Sequence, residues 1–144
     1  MAEFKRKKNE RRYNMSCLFN SLAYFIPLPS QTIRETICDY LAANKPLLED
    51  LDTGVVLGLD GTPEAYLLNM RNPATWGGAI EIQAACNLWN LSITVWNVRD
   101  PEPTRIRFEP IQRAFPEGRK EIAVEWSGGH YEPLKAAPPA IEHT

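Results

Sequence analysis

The feature that most limits what this chain can fold into is a change of hydrophobic period at Asn90. Before it, apolar residues recur every three or four positions, in short runs separated by proline or glycine; after it they alternate. The first spacing buries one face of a helix and the second one face of a strand. Helices followed by a few strands predict a single domain of α/β, more narrowly α+β, class.

The helical half divides at its prolines and glycines. Leu18, Leu22 and Phe25 share a face in a helix that begins at Cys17, with Ser16 as N-cap and Pro27 and Pro29 as its stop. A second helix fits residues 31–43 on the stripe Ile33, Ile37, Tyr40 and Leu41, with Thr32 to Glu35 at capping-box spacing or Ser30 as the cap. Residues 51–62 carry Gly54, Gly58 and Gly61 and read as an irregular loop. Thr62-Pro63 opens a short helix through about Met70, since proline favours the first helical position. Thr75 caps a longer helix over 77–88, with Ile80, Ala84, Ala85 and Leu88 facing inward. Strands follow at 91–96, 105–108 and 121–126, and a last short one starts at His130, after the Gly128-Gly129 turn.

The 16 Lys+Arg and 18 Asp+Glu nearly cancel, but they are unevenly spread. Lys5, Arg6, Lys7, Lys8, Arg11 and Arg12 face Glu10 alone within residues 5–12, so a basic arm over 1–12 precedes an acidic body. Such an arm is a nucleic-acid or nuclear-import element, or a solvated, flexible end. No aromatic interleaving or glycine-rich phosphate cradle supports the nucleic-acid reading. Pro138 and Pro139 mark 137–144 as a loose tail, leaving 13–136 as the folded domain. No run of about 18 apolar residues is present, which excludes a membrane-spanning helix. The charged start has no apolar core behind it, so a secretory signal is not expected. Cys17, Cys38 and Cys86 are too few and too widely spaced for a disulfide framework or a zinc pattern. They favour a reducing compartment, and no metal or organic cofactor is implied.

Three thiols and two imidazoles, His130 and His143, bound the available nucleophilic chemistry. Cys17 lies where a polar loop enters a helix, so helix N-terminal N–H groups favour its thiolate and can hold an oxyanion. The alternative is a buried structural thiol. Cys38, in an apolar helical stripe, and Cys86, in the central helix, read as small buried hydrophobes. His143 is next to last, whereas His130 opens a strand on which alternation puts Glu132 on the same face. Glu132 can therefore orient the imidazole, or the two form a plain surface pair.

Three blocks carry a resemblance. Asn14-Met15-Ser16-Cys17-Leu18-Phe19-Asn20-Ser21 is the first; the second is Ala65-Tyr66-Leu67 through Met70, with Thr75-Trp76-Gly77-Gly78-Ala79-Ile80-Glu81-Ile82-Gln83-Ala84. The third is Gly129-His130-Tyr131-Glu132-Pro133-Leu134. In this order they resemble the nucleophile, central-helix and histidine blocks of the OTU (ovarian tumour) family of cysteine proteases, mostly deubiquitinases. The likeness spans about residues 13–134, nearly the whole chain.

The resemblance implies an OTU-like fold, a small central sheet flanked by helices with a papain-like catalytic arrangement. It implies Cys17 as nucleophile and His130 as general base, with Glu132 or Asn14 as the group that steadies the imidazole. Backbone donors of Asn14, Met15 and Cys17 would form the oxyanion hole. Gly128 and Gly129 would keep the walls low for a threading Gly-Gly tail, or simply turn the chain into the strand. Trp76 would line the substrate channel, or pack at the helix start, and Trp126 would lie near the histidine. Two departures stand out: Glu132 is a methylene longer than the usual Asp or Asn, and Asn14-Met15 replaces Asp-Gly.

The implied activity is thiol-dependent hydrolysis of peptide or isopeptide bonds at the C-terminus of ubiquitin or a ubiquitin-like modifier. Partners would be such conjugates, handled by a monomer in the cytoplasm or nucleus, without membrane or nucleic acid. Its compactness resembles OTU proteins also found in viruses and intracellular bacteria, which would act on host ubiquitin in the host cytoplasm. The alternative is a catalytically impaired, ubiquitin-binding OTU module; RNA binding through the arm is a third possibility.

Overall fold

The computed structural model describes residues 15–111 and 118–135. The basic arm, Asn14, His143 and the proline-bearing tail lie outside the described residues. Helices α1 (Cys17–Phe25), α2 (Ser30–Ala42), α3 (Thr53–Leu57), α4 (Pro63–Met70) and α5 (Ala79–Trp89) come first. Strands β1 (Leu91–Asn97), β2 (Thr104–Phe108), β3 (Lys120–Trp126) and β4 (Tyr131–Pro133) follow. Asn90, at φ 55°, takes the left-handed conformation that closes α5, and the next residue opens β1.

The sheet order is β2-β1-β3-β4. β1 runs antiparallel to β2, pairing Ile93 with Phe108, and parallel to β3, pairing Ile93 with Ile122. β4 returns antiparallel to β3, with Trp126 opposite Tyr131. Leu91, Ser92 and Ile93 of β1 are buried in succession, as are Ile122, Ala123 and Val124 of β3. These inner strands are covered on both faces, which blurs the alternation expected of a half-exposed sheet. α5 packs on β1 and β2, while α2 sits between α1, α4 and α5. Leu18, Phe19, Leu22, Ile33, Ile37, Leu41, Ile82, Ala84 and Ala85 fill the helix side of the core.

Several local expectations are corrected. Residues 51–62 are not wholly irregular, because α3 forms within them. Tertiary hydrogen bonds anchor it: buried Thr53 donates from Oγ1 to Lys45 O (2.6 Å) and accepts from Leu47 N–H (3.1 Å). So short a helix carries too few turns for a legible stripe. α4 starts at Pro63 as expected, and Thr62 caps it, accepting from Ala65 N–H at 3.1 Å. Thr75 does not cap α5; its hydroxyl donates to Asn69 O at 2.6 Å, and Gly78 is the N-cap. Glu81 Oε1 accepts from Gly78 N–H at 2.7 Å. Neither Thr32 nor Ser30 caps α2, which starts at Ser30 behind Pro29. β4 begins at Tyr131, so His130 closes the turn and does not open the strand.

Candidate active site

Cys17 is the first residue of α1 and is partly exposed. Ser16 stands at the N-cap position, yet its side chain makes no cap bond; its Oγ accepts from Arg34 Nη2 at 3.1 Å instead. The first turn of α1 thus presents N–H groups that Ser16 does not cap, at the end of the helix that carries the thiol. From the other end of the domain, Tyr131 N–H donates to Cys17 Sγ at 3.3 Å, a contact across 114 positions of sequence. α1 packs on β4, and this packing brings the nucleophile and histidine blocks together.

His130 and Glu132 flank Tyr131, and their side chains meet on one side, with Nε2 3.1 Å from Glu132 Oε2. The strand-face expectation for this pair is therefore realised in space. An ionised carboxylate only accepts, so Nε2 carries the proton toward it and Nδ1 is left to exchange a proton elsewhere. Both side chains are well exposed, 56% and 66%. Tyr131 itself is half-buried, and its hydroxyl pKa is raised by burial first and by neighbouring Cys17 next.

The turn before His130 needs its glycine. Gly128 has φ +101°, and a Cβ there would lie 2.9 Å from Arg99 Cδ. The Arg99 guanidinium also reaches over the Trp126 ring, at 5.8 Å from its centroid. Ser127 N–H closes the turn on His130 O at 3.0 Å. Trp76, 55% exposed, projects from the segment before α5. Behind it, a Cβ at Gly77 would meet Phe19 Cζ at 2.8 Å and Leu18 Cδ2 at 2.9 Å. Only glycine lets this segment close on α1.

Met15 N–H donates to Pro73 O at 2.8 Å. An oxyanion donor from Met15 would first have to leave that bond, whereas Cys17 N–H stands among the first-turn donors of α1 that have no intrahelical acceptor. Asn14 lies outside the described residues. Cys38 and Cys86 are buried, as their positions predicted, and burial pushes their thiols up to about 11 and about 12.

The sequence reading missed Arg34, which has no exposed surface. A signal was present: position 34 shares its helical face with Cys38 and Leu41, so a cation stood on an apolar stripe. Glu81 was read only as the acidic member of an apolar stretch. It is buried, takes the Tyr66 hydroxyl on Oε2 at 2.5 Å, and burial raises its pKa. Among the described residues no cluster of three or more His, Cys, Asp or Glu could hold a metal ion. No helix among them is long and apolar enough to cross a membrane.

The family model for OTU-like cysteine proteases matches residues 16–131. Ubiquitin thioesterase otu2 of Schizosaccharomyces pombe is 30% identical over 108 residues, covering 65% of this chain and 35% of that protein. The chain thus spans about a third of that relative's length. The viral OTU domain protease from Dera Ghazi Khan virus superposes with a TM-score of 0.63 at 21% identity, over 84% of this chain and 74% of the other. An OTU domain solved in complex with ubiquitin gives 0.59 at 23% identity, over 83% and 63%.

Proposed function

The chain belongs to the OTU-like cysteine protease family, and from that premise we propose that it is a deubiquitinase in which Cys17 and His130 do the chemistry. The observation that carries this reading is the meeting of Cys17 Sγ with the N–H of Tyr131, the residue that stands in sequence between the paired His130 and Glu132. The S. pombe relative is by name a ubiquitin thioesterase, and an OTU domain of like fold has been solved with ubiquitin.

In this mechanism His130 Nδ1 takes the thiol proton while Glu132 holds Nε2–H. The Cys17 thiolate then attacks the carbonyl of the terminal glycine of ubiquitin or a similar modifier. Cys17 N–H and the uncapped first turn of α1 stabilise the oxyanion. As the intermediate collapses, the imidazolium gives its proton to the departing amine, leaving a thioester. Water, deprotonated by His130, attacks the thioester carbonyl and releases the modifier's carboxylate and the thiol. Trp76 and Trp126 border the channel, and Gly128-Gly129 leave room for a narrow glycine tail. Asn14, whose amide can take over the orienting role, is the alternative third member. Residues 13–136 form the catalytic unit in this reading. A viral source, with host ubiquitin as target, is compatible with the Dera Ghazi Khan virus likeness in fold.

Full-length protein is treated with a ubiquitin probe bearing a C-terminal electrophile. Labelling of the native chain but not of Cys17→Ala is expected. A folded native chain that binds the probe without forming the adduct would overturn the enzyme reading in favour of a binding module.

A further inference from the structure

Arg34 is the one buried cation among the described residues that the chemistry above leaves without a task. It projects from the middle of α2. Its Nη1 donates to Met70 O at 2.7 Å and lies 3.7 Å from Met70 Sδ. Its Nη2 faces Thr75 O at 2.8 Å, Ser16 Oγ at 3.1 Å, Met15 O at 3.3 Å and Pro73 O at 3.4 Å. Nη2 has two hydrogens, so these acceptors share them in three-centre bonds. The guanidinium carbon also stands 4.3 Å from the Phe19 ring centroid.

Every one of these acceptors lies at the end of a helix or just outside one. Met15 and Ser16 lead into Cys17; Met70, Pro73 and Thr75 lead from the end of α4 to Trp76. The carbonyls of Met70 and Thr75 lie past the reach of intrahelical donors, so a donor is supplied from the side. Met15 N–H to Pro73 O joins the same two segments directly, and Gly77 closes them against Phe19. A helix that needed only packing at position 34 would use an apolar side chain, because burying a guanidinium costs more than burying a methionine or leucine. A planar fork is needed where carbonyls from separate segments must be held at fixed separation, and an ammonium group cannot reproduce it.

We propose that Arg34 is a positioning residue for the hydrolytic reaction, fixing the nucleophile loop at Met15–Ser16 against the Pro73–Thr75 segment, so that Cys17 and Trp76 keep the spacing a substrate tail requires. This inference rests on the hydrolase reading given above. Arg34 touches neither thiol nor substrate; it acts through the main chain that presents both walls. Its effect therefore falls on the transition state more than on binding, which for a protein substrate is spread over a wide surface.

Arg34→Lys, which keeps the charge and loses the fork, is compared with native full-length chain on ubiquitin carrying a C-terminal fluorogenic amide. Expected is a fall in kcat of about tenfold or more with KM within about twofold. Alkylation of Cys17 by iodoacetamide, which needs an accessible thiol but no oriented substrate, should stay within about twofold of native. Ser16→Ala removes one shared acceptor and should lower kcat about threefold with the same signature. Native kcat per folded molecule in Arg34→Lys overturns the proposal, as does an equal loss of kcat and alkylation, the mark of a purely structural role. Should Arg34→Lys fail to fold, native kcat in Ser16→Ala overturns it. A native chain that turns over no substrate brings down the hydrolase reading and this inference together, whereas native turnover with unaltered variants brings down this inference alone.

Discussion

The two halves of the candidate site are built in opposite ways. On the Cys17 side, the loop before α1 is held by a buried guanidinium, a main-chain bond to Pro73 and the close fit of Gly77 on Phe19. On the His130 side, an exposed imidazole meets an exposed carboxylate at the mouth of a glycine turn, braced by a strand of three residues. Buried hydrogen bonds among fixed partners resist displacement, while an exposed polar pair contributes little to stability. The proposed nucleophile is thus fixed by the core, and the proposed base by a local, solvent-facing device. A group that must rotate, take a proton and return it gains from the second arrangement.

That contrast can be broken most strongly at the reacting groups. Cys17→Ala and His130→Ala should each lower kcat by about a thousandfold or more. His130→Ala should leave the thermal midpoint close to native, as calorimetry can verify. Next in size is Arg34→Met, which leaves carbonyls of Met70 and Thr75 without their donor and should destabilise by about 3 kcal/mol, read from urea unfolding. An equally large cost at Glu132 would erase the contrast. Glu132→Ala is instead expected to reduce kcat about tenfold with an unchanged urea midpoint. If both Glu132→Ala and Asn14→Ala stay within about threefold of native turnover, an orienting third member has no place in the mechanism. Gly128→Ala, which forces a side chain into φ +101° beside Arg99 Cδ, should cost about 1–2 kcal/mol and slow turnover severalfold.

The smallest effect concerns the thiols that do no chemistry. Burial raises Cys38 from 9.0 to about 11 and Cys86 from 9.0 to about 12. The unfolded chain gives up these protons at lower pH than the native chain does. The stability they contribute is complete below about pH 9 and is lost as pH rises toward 11 and 12. Urea midpoints measured across that window should fall, and Cys38→Ala should flatten the decline. At neutral pH iodoacetamide should modify Cys17 and leave both buried thiols untouched until the chain unfolds.

Much of this arrangement was legible in residue order, and the lapses have physical causes. The break at Asn90 marked the passage from helices to sheet because a left-handed residue is needed there. Pro63 set the start of α4 through its fixed backbone angle, and Thr62 supplied the cap. Period-two spacing brought His130 and Glu132 to one side, although His130 falls in the turn. α3 escaped because Thr53 anchors it to the main chain of Lys45 and Leu47, and Arg34 escaped because its partners lie 18 to 41 positions away. Periodicity describes faces; it is silent on which irregular segments a buried side chain will tie together. Ser16 shows the same limit, having the right residue type for a cap but spending its oxygen on Arg34.

The bond from Tyr131 N–H to Cys17 Sγ spans nearly the whole folded unit. On a ribosome, Cys17 emerges more than a hundred residues before His130. A nascent chain therefore carries the proposed nucleophile without its proposed base until residue 130 has cleared the exit tunnel. The bond is also a reporter of integrity, since a single nick that lets β4 drift from α1 parts Tyr131 from Cys17 while most of the core remains in place.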